Sequence, residues 1–139
     1  MAIFQKVLTV RTPGRGLHEI TTQVEKIVAE SGLRAGLCVV FCRHTSASLV
    51  IQENADPTAR KDLEKWLERI APDGDPQYSH DMEGPDDMPS HLRAAVTKTS
   101  ETIPILDGEL CLGTWQGIYL AEHRTSPHTR QLVVHCQGE

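Results

Sequence analysis

The sequence predicts an α+β fold, a single domain with a largely antiparallel β-sheet and about three helices. Three observations carry this. The 139 residues fit one compact domain and leave no room for a second. Three stretches repeat apolar residues at helical spacing, while about six or seven others alternate or run apolar at strand length. Turn signals such as Asp107-Gly108 join neighbours in the last third, as hairpins require.

Taken in order, Phe4 to Arg11 reads as a strand, ended by the turn Pro13-Gly14-Arg15-Gly16. From His18 to Ser31, Ile20, Val24, Ile27 and Val28 recur at helical spacing, and Gly32 supplies the stop. Gly36 opens the apolar run Leu37 to Cys42, which predicts a strand buried on both faces. After His44-Thr45-Ser46, Ala47 to Gln52 reads as another strand. Asp56 caps a helix whose first residue is Pro57, where the missing proline N–H is an advantage. The expected buried stripe of that helix is Leu63, Trp66, Leu67 and Ile70, and Pro72 to Pro76 ends it. Gln77 to Pro89 is polar. A short helix follows, with Met88, Leu92, Ala95 and Val96 on one face. Strands are then expected at Thr102 to Leu106, Glu109 to Leu112, Gln116 to His123 and Arg130 to Cys136.

Composition narrows the function. Fourteen Lys and Arg stand against 19 Asp and Glu, a net charge of -5, which disfavours non-specific nucleic-acid binding. No apolar run approaches the roughly 20 residues needed to span a bilayer. The first residues lack the apolar block of a signal peptide, so a cytoplasmic location without membrane partners is expected. Cys38 and Cys42 on one strand lie about 13 Å apart, too far for a disulfide or one shared zinc ion. Cys111 and Cys136 stand isolated, and all four are expected to be small buried apolar residues.

Seven histidines mark where chemistry should be sought. A lone histidine is more often a surface or core residue than a ligand. The balance changes at His80-Asp81-Met82-Glu83-Gly84-Pro85-Asp86-Asp87-Met88-Pro89-Ser90-His91. There Asp87 and His91, four apart on a helix, share a face, and Gly84-Pro85 lets His80 fold back. That grouping suits a divalent cation, with a carboxylate as ligand or as orienter of a ligating imidazole. A plain helix cap flanked by solvated histidines fits the same spacing equally well.

Two further clusters stand out. In Gly113 to Arg124, Tyr119, Ala121 and His123 alternate with Leu120, Glu122 and Arg124. His123 at a strand end is positioned to join a site. Arg124 is a candidate for bidentate anion binding, and Trp115 for a flat platform or a core residue. His44-Thr45-Ser46-Ala47-Ser48 and Glu53-Asn54-Ala55-Asp56 sit at strand ends, where they are able to converge. Ser46 near His44 lacks the Gly-x-Ser-x-Gly elbow, which disfavours serine catalysis, and no P-loop or His-Glu-x-x-His is present.

The four segments His44 to Ser48, Glu53 to Asp56, Gly84 to His91 and Gly113 to Arg124, in this order, resemble the YjbQ family, whose members are also described as secondary thiamine-phosphate synthases. The resemblance implies a small α+β subunit assembling as a homotrimer, with polar pockets near subunit contacts. It also implies a weak activity joining a hydroxymethylpyrimidine diphosphate to a thiazole phosphate, with release of pyrophosphate. A small phosphorylated metabolite is thus the expected partner and a divalent metal ion, of unspecified identity, the expected cofactor. The expected metal ligands are His80, His91 and His123. His44, Glu53, Asp81 and Asp87 are the catalytic candidates, and Asn54, Trp115, Gln116 and Arg124 the substrate-binding ones. The lack of a definite catalytic motif leaves a second reading, a non-catalytic trimer that binds metal or metabolite in the same pocket.

Overall fold

The computed structural model describes all residues from Met1 to Glu139. Its elements run β1 (Ala2–Thr12), β2 (Gly16–Glu19), α1 (Thr21–Ser31), β3 (Gly36–Cys42), β4 (Ala47–Glu53), α2 (Pro57–Ile70), α3 (Asp87–Val96), β5 (Ser100–Leu106), β6 (Glu109–Leu110), β7 (Gln116–Glu122) and β8 (His128–Gly138). The strands form two antiparallel sheets, one ordered β1-β8-β3-β5-β6 and the other β2-β7-β4. No helix is long and apolar enough to cross a membrane.

The core lies between the sheets. Val24, Ile27 and Val28 of α1 meet Cys38 and Val40 of β3, Leu49 of β4, Ile118 and Leu120 of β7, and Leu132 and Val134 of β8. The alternate residues of β7, Tyr119 and Ala121, pack on the opposite side with Leu17, Val50 and Leu63. β7 is therefore covered on both faces, and its two parities look into different parts of the molecule.

Local chemistry sets several boundaries as expected. Gly32 ends α1 in the left-handed region at φ 69°, and Asp107 and Gly108 at φ 52° and 83° make the tight β5–β6 turn. Asp56 caps α2 by accepting from the Thr58 amide at 2.9 Å, with Pro57 following.

Tertiary pairing overrides the sequence expectation elsewhere. The helix expected from His18 starts at Thr21, because Gly16–Glu19 pair with Glu122–Tyr119 of β7 as an extra strand. β3 is buried on one face only: Leu37 and Phe41 are exposed, since α1 and the second sheet both lie on the other side. On α2 only Leu67 is fully buried, and Trp66 and Ile70 stay exposed. α3 reverses its expected orientation. Its buried residues are Asp87, Pro89, Ser90 and Arg93, while Ala95 and Val96 are exposed, because the helix docks through polar contacts. β6 stops at Leu110, two residues short of expectation. Cys111 is exposed rather than buried, and Cys136 is not isolated, for it stands opposite Cys38 across β3 and β8.

Candidate metal centre

α3 begins at Asp87 and presents His91 one turn later, while the loop before it returns His80 to the same point. His80 Nε2 lies 2.6 Å and His91 Nε2 3.1 Å from one oxygen of Asp87, Oδ2. The potential ligand atoms of the three residues all lie within 4.8 Å of one another. Asp87 is buried, His91 half-buried and His80 exposed, so the group opens on the His80 side. The two rings are tilted by 59° and approach the carboxylate from different directions.

Proton accounting leaves two states for this group. His91 Nδ1 is 3.0 Å from the Thr45 carbonyl, which can only accept, so Nδ1 carries a proton. In the neutral ring Nε2 is then a bare lone pair aimed at a carboxylate oxygen. Two acceptors cannot hydrogen-bond. Either the ring carries two protons or a cation lies between them. A ligating histidine with its other N–H held by a carbonyl is the common arrangement at metal sites.

The carboxylate is fixed from behind. Arg124 Nη1 donates to Asp87 Oδ1 at 2.7 Å, its Nε to Asp86 Oδ2 at 3.0 Å, and its Nη2 to the Glu83 carbonyl at 3.0 Å. The guanidinium expected to bind substrate is thus occupied within the chain, and Arg124 is a positioning residue. Asp86 also accepts from the Thr125 amide and hydroxyl. Burial pushes its pKa up, but the Thr125 amide, the Arg124 guanidinium and the Thr125 hydroxyl outweigh burial and hold it at about 2. At Asp87 the same contest, burial against His80, His91 and Arg124, ends below the ordinary carboxylate range. A cavity of about 290 Å³ adjoins His80 and is lined by Asp75, Tyr78 and Asp81 among others. Asp81 therefore borders the approach to the group.

The remaining candidates lie elsewhere. His44 Nε2 accepts from the Gln131 amide at 2.8 Å, and burial and Arg130 lower its pKa. Its loop reaches the centre through the Thr45 carbonyl instead. Glu53 caps a turn, accepting from the Ala55 and Asp56 amides. Asn54 donates to Glu19 at 3.4 Å, Gln116 accepts from the Gly113 amide, and Trp115 is exposed. Glu53 pairs with Gln116 and Ala47 with Glu122, so these residues gather at the far end of β4. That end is about 20 Å from the other at roughly 3.3 Å per residue. The strand-end clusters expected to converge are held apart by the strand between them.

His123 is not part of the three-residue group. It is 2% exposed, and its Nε2 is 2.8 Å from Ser48 Oγ. Thr97 Oγ1 donates to the Arg93 carbonyl, so it accepts from Ser48 at 2.5 Å. Ser48, having donated, must accept from His123 Nε2–H. The ring is neutral with Nδ1 bare. Burial, then Arg93, lower its pKa to about 3 from the ordinary 6.5. The unfolded chain therefore binds more protons below pH 6.5. This stability is complete above pH 6.5 and is lost as pH falls toward 3, at up to about 1.4 kcal/mol per unit. His123→Gln keeps a donor for Ser48 without the proton site. Its unfolding free energy should fall less steeply over that window, and equal slopes in urea titrations would contradict the assignment.

Sequence reading gave Thr45 and Ser48 no role of their own within the His44–Ser48 cluster, and it missed Thr97 and Arg93. Thr45 acts through its carbonyl, which leaves no side-chain signal. Arg93 was detectable, three residues after Ser90 on the polar side of α3.

A family model described as "UPF0047 protein YjbQ-like" matches residues 6–139. The chain is 51% identical over 135 residues to a UPF0047 protein of Synechocystis sp., covering 97% of this chain and 92% of that one. It is 42% identical over 137 residues to the UPF0047 protein YjbQ of Escherichia coli O157:H7, covering 98% and 99%. Among solved structures, a YbjQ-like protein of unknown function from Sulfolobus solfataricus P2 superposes with a TM-score of 0.88 at 26% identity, covering 99% and 100%. A hypothetical protein from Aeropyrum pernix K1 gives 0.89 at 29% identity, covering 98% and 99%. Sequence and fold agree along nearly the whole length, and the chain belongs to the YjbQ (UPF0047) family.

Proposed function

We propose that this chain is a divalent-metal-dependent enzyme acting on a small phosphorylated molecule at His80, Asp87 and His91. The observation that carries the reading is the convergence of His80 Nε2 and His91 Nε2 on one oxygen of the buried Asp87 carboxylate, with His91 Nδ1 held by Thr45. Two imidazoles and a carboxylate suit zinc, manganese, iron, nickel or cobalt. Three protein ligands leave positions open for substrate, as catalytic sites do and closed structural sites do not. A divalent ion held there supplies positive charge to a phosphoryl oxygen or ionises a water near neutral pH. The chain's own groups do the positioning: Thr45 orients His91, Arg124 holds Asp87, and Asp81 borders the adjoining cavity. No lysine or arginine lines that cavity, so the charge of a phosphate there falls to the metal.

The narrower reading, transfer of a pyrimidine unit to a thiazole phosphate with loss of pyrophosphate, rests on the family resemblance. In that reading Trp115 serves the ring from another copy of the chain, since it lies at the far end of β4. Self-association is supported by the outer face of the larger sheet, where Ile3, Val7, Leu37 and Phe41 are exposed on three adjacent strands' worth of surface with no helix over them. Phe41→Asp should shift a homotrimer to smaller species in sedimentation velocity, whereas an unchanged distribution would place the interface elsewhere.

The function is tested by elemental analysis of untagged protein purified without chelators, followed by assays of thiamine-phosphate formation before and after metal removal. About one metal per chain, with turnover lost on chelation and regained on readdition, is the expected result. Turnover indifferent to chelation would sink the metal reading. Bound metal without turnover of phosphorylated substrates would favour the non-catalytic binding protein.

A further inference from the structure

A second cavity of about 270 Å³ lies on the other side of α3, enclosed by Glu64, Leu67 and Glu68 of α2, Arg93 of α3, Arg15 and His123 among others. Two nearly buried side chains border it, each with one nitrogen that makes no hydrogen bond within the chain. Arg93 is 2% exposed, yet its Nε and Nη2 both go to one carbonyl, that of Ala71, at 3.3 and 2.9 Å, and its Nη1 donates to nothing. The carboxylate of Asp73 is 3.9 Å away and is already held by both terminal nitrogens of Arg15. The second group is His123, whose Nε2 is committed to Ser48 and whose Nδ1 is a bare acceptor. Neither nitrogen is sealed off from the cavity, so a ligand of matching polarity placed there gains a bond that the chain itself leaves unmade.

The walls specify what that something is. Arg93 asks for an anionic acceptor. His123 Nδ1 asks for a donor, and the carboxylates of Glu64 and Glu68 on α2 favour a cationic one. We propose that this cavity binds a small zwitterion of the amino-acid type, with its carboxylate on Arg93 and its ammonium group toward His123 Nδ1 and the α2 glutamates. The volume lies below the roughly 300–1,000 Å³ of sites for larger ligands, which excludes nucleotides and suits about an amino acid with a short side chain against Leu67. A simple carboxylate would leave His123 Nδ1 unbonded, and a simple amine would leave Arg93 Nη1 unbonded. A polyanion would meet three glutamates, Glu64, Glu68 and Glu122.

The test is a titration of protein carrying ¹⁵N-labelled histidine with L-alanine and L-serine, read at the His123 ring, with acetate and ethylamine as half-molecule controls. The amino acids should give saturable shifts, with each control at least about tenfold weaker, as expected for losing one charge-assisted hydrogen bond. Arg93→Met should abolish binding. Because Arg93 is buried, Glu68→Gln on the exposed rim gives a second measurement that does not threaten the fold, with an expected loss of about two- to fivefold. Asp87→Asn should bind as the wild type does, which separates this cavity from the metal centre. No saturable shift with either amino acid, shifts of equal affinity with acetate, or unchanged affinity in Glu68→Gln would each overturn the proposal.

Discussion

Arg130→Met is expected to destabilise the fold by about 3–5 kcal/mol, the range for removing one partner of a buried ion pair. Arg130 is 4% exposed and Glu122 1%. The guanidinium meets the carboxylate through two nitrogens, Nε at 2.8 Å from Oε1 and Nη2 on Oε2. Thr12 adds a bond at 2.6 Å and the Arg124 amide one at 3.2 Å. Burial raises the Glu122 pKa, but these partners, Arg130 foremost, bring it below its ordinary value. Methionine fills the volume and leaves the carboxylate charged and unpaired. The cost thus comes from the abandoned charge rather than from lost packing. Adding Glu122→Leu to the variant should restore much of the stability, since a pair replaced as a unit leaves no orphan. Chemical denaturation of the two single variants and the double one checks this. Additive losses would show that the pair does not act as a unit.

Asp87→Asn is expected to weaken metal binding by about two orders of magnitude or more, given that loss of an outer hydrogen-bond partner alone costs roughly 10–100-fold. The substitution keeps shape and removes the charge that His80 and His91 share. The fold should tolerate it, because Arg124 retains Asp86 and the Glu83 carbonyl. Competition with a chelator of known affinity measures the change, and circular dichroism confirms the fold. Retained affinity would mean that Asp87 orients the histidines without binding the ion.

What could be read from the sequence was local. The Asp56-Pro57 start of α2, the Gly32 stop and the Asp107-Gly108 turn depend on a few neighbouring residues, and all three are found where the residues put them. Asp87 and His91 came together for the same reason, since helix geometry alone fixes i and i+4. β2 could not be read, because four residues with little alternation became a strand only by pairing with β7. The exposure of Leu37 and Phe41 depends on which side of the larger sheet the helices take, and no short window reports that. Glu53 and His44 were joined by assuming that strand ends meet. The strand's length, visible in the sequence, already argued against it. Arg124 looked like an open anion site because nothing local announces that Asp86 and Asp87 return to fill its fork.

Glu122, the last residue of β7, and the two residues that follow it serve three purposes. Glu122 clamps the two sheets together, His123 borders the α2–α3 cavity, and Arg124 braces the metal ligand. The register of β7 against β4 fixes where Glu122 ends the strand and therefore where the next two residues begin, so a slip of one position would misplace all three together. Correct pairing of one strand is therefore a shared checkpoint. A chain that has paired β7 wrongly cannot be stable but inactive, nor active but loose.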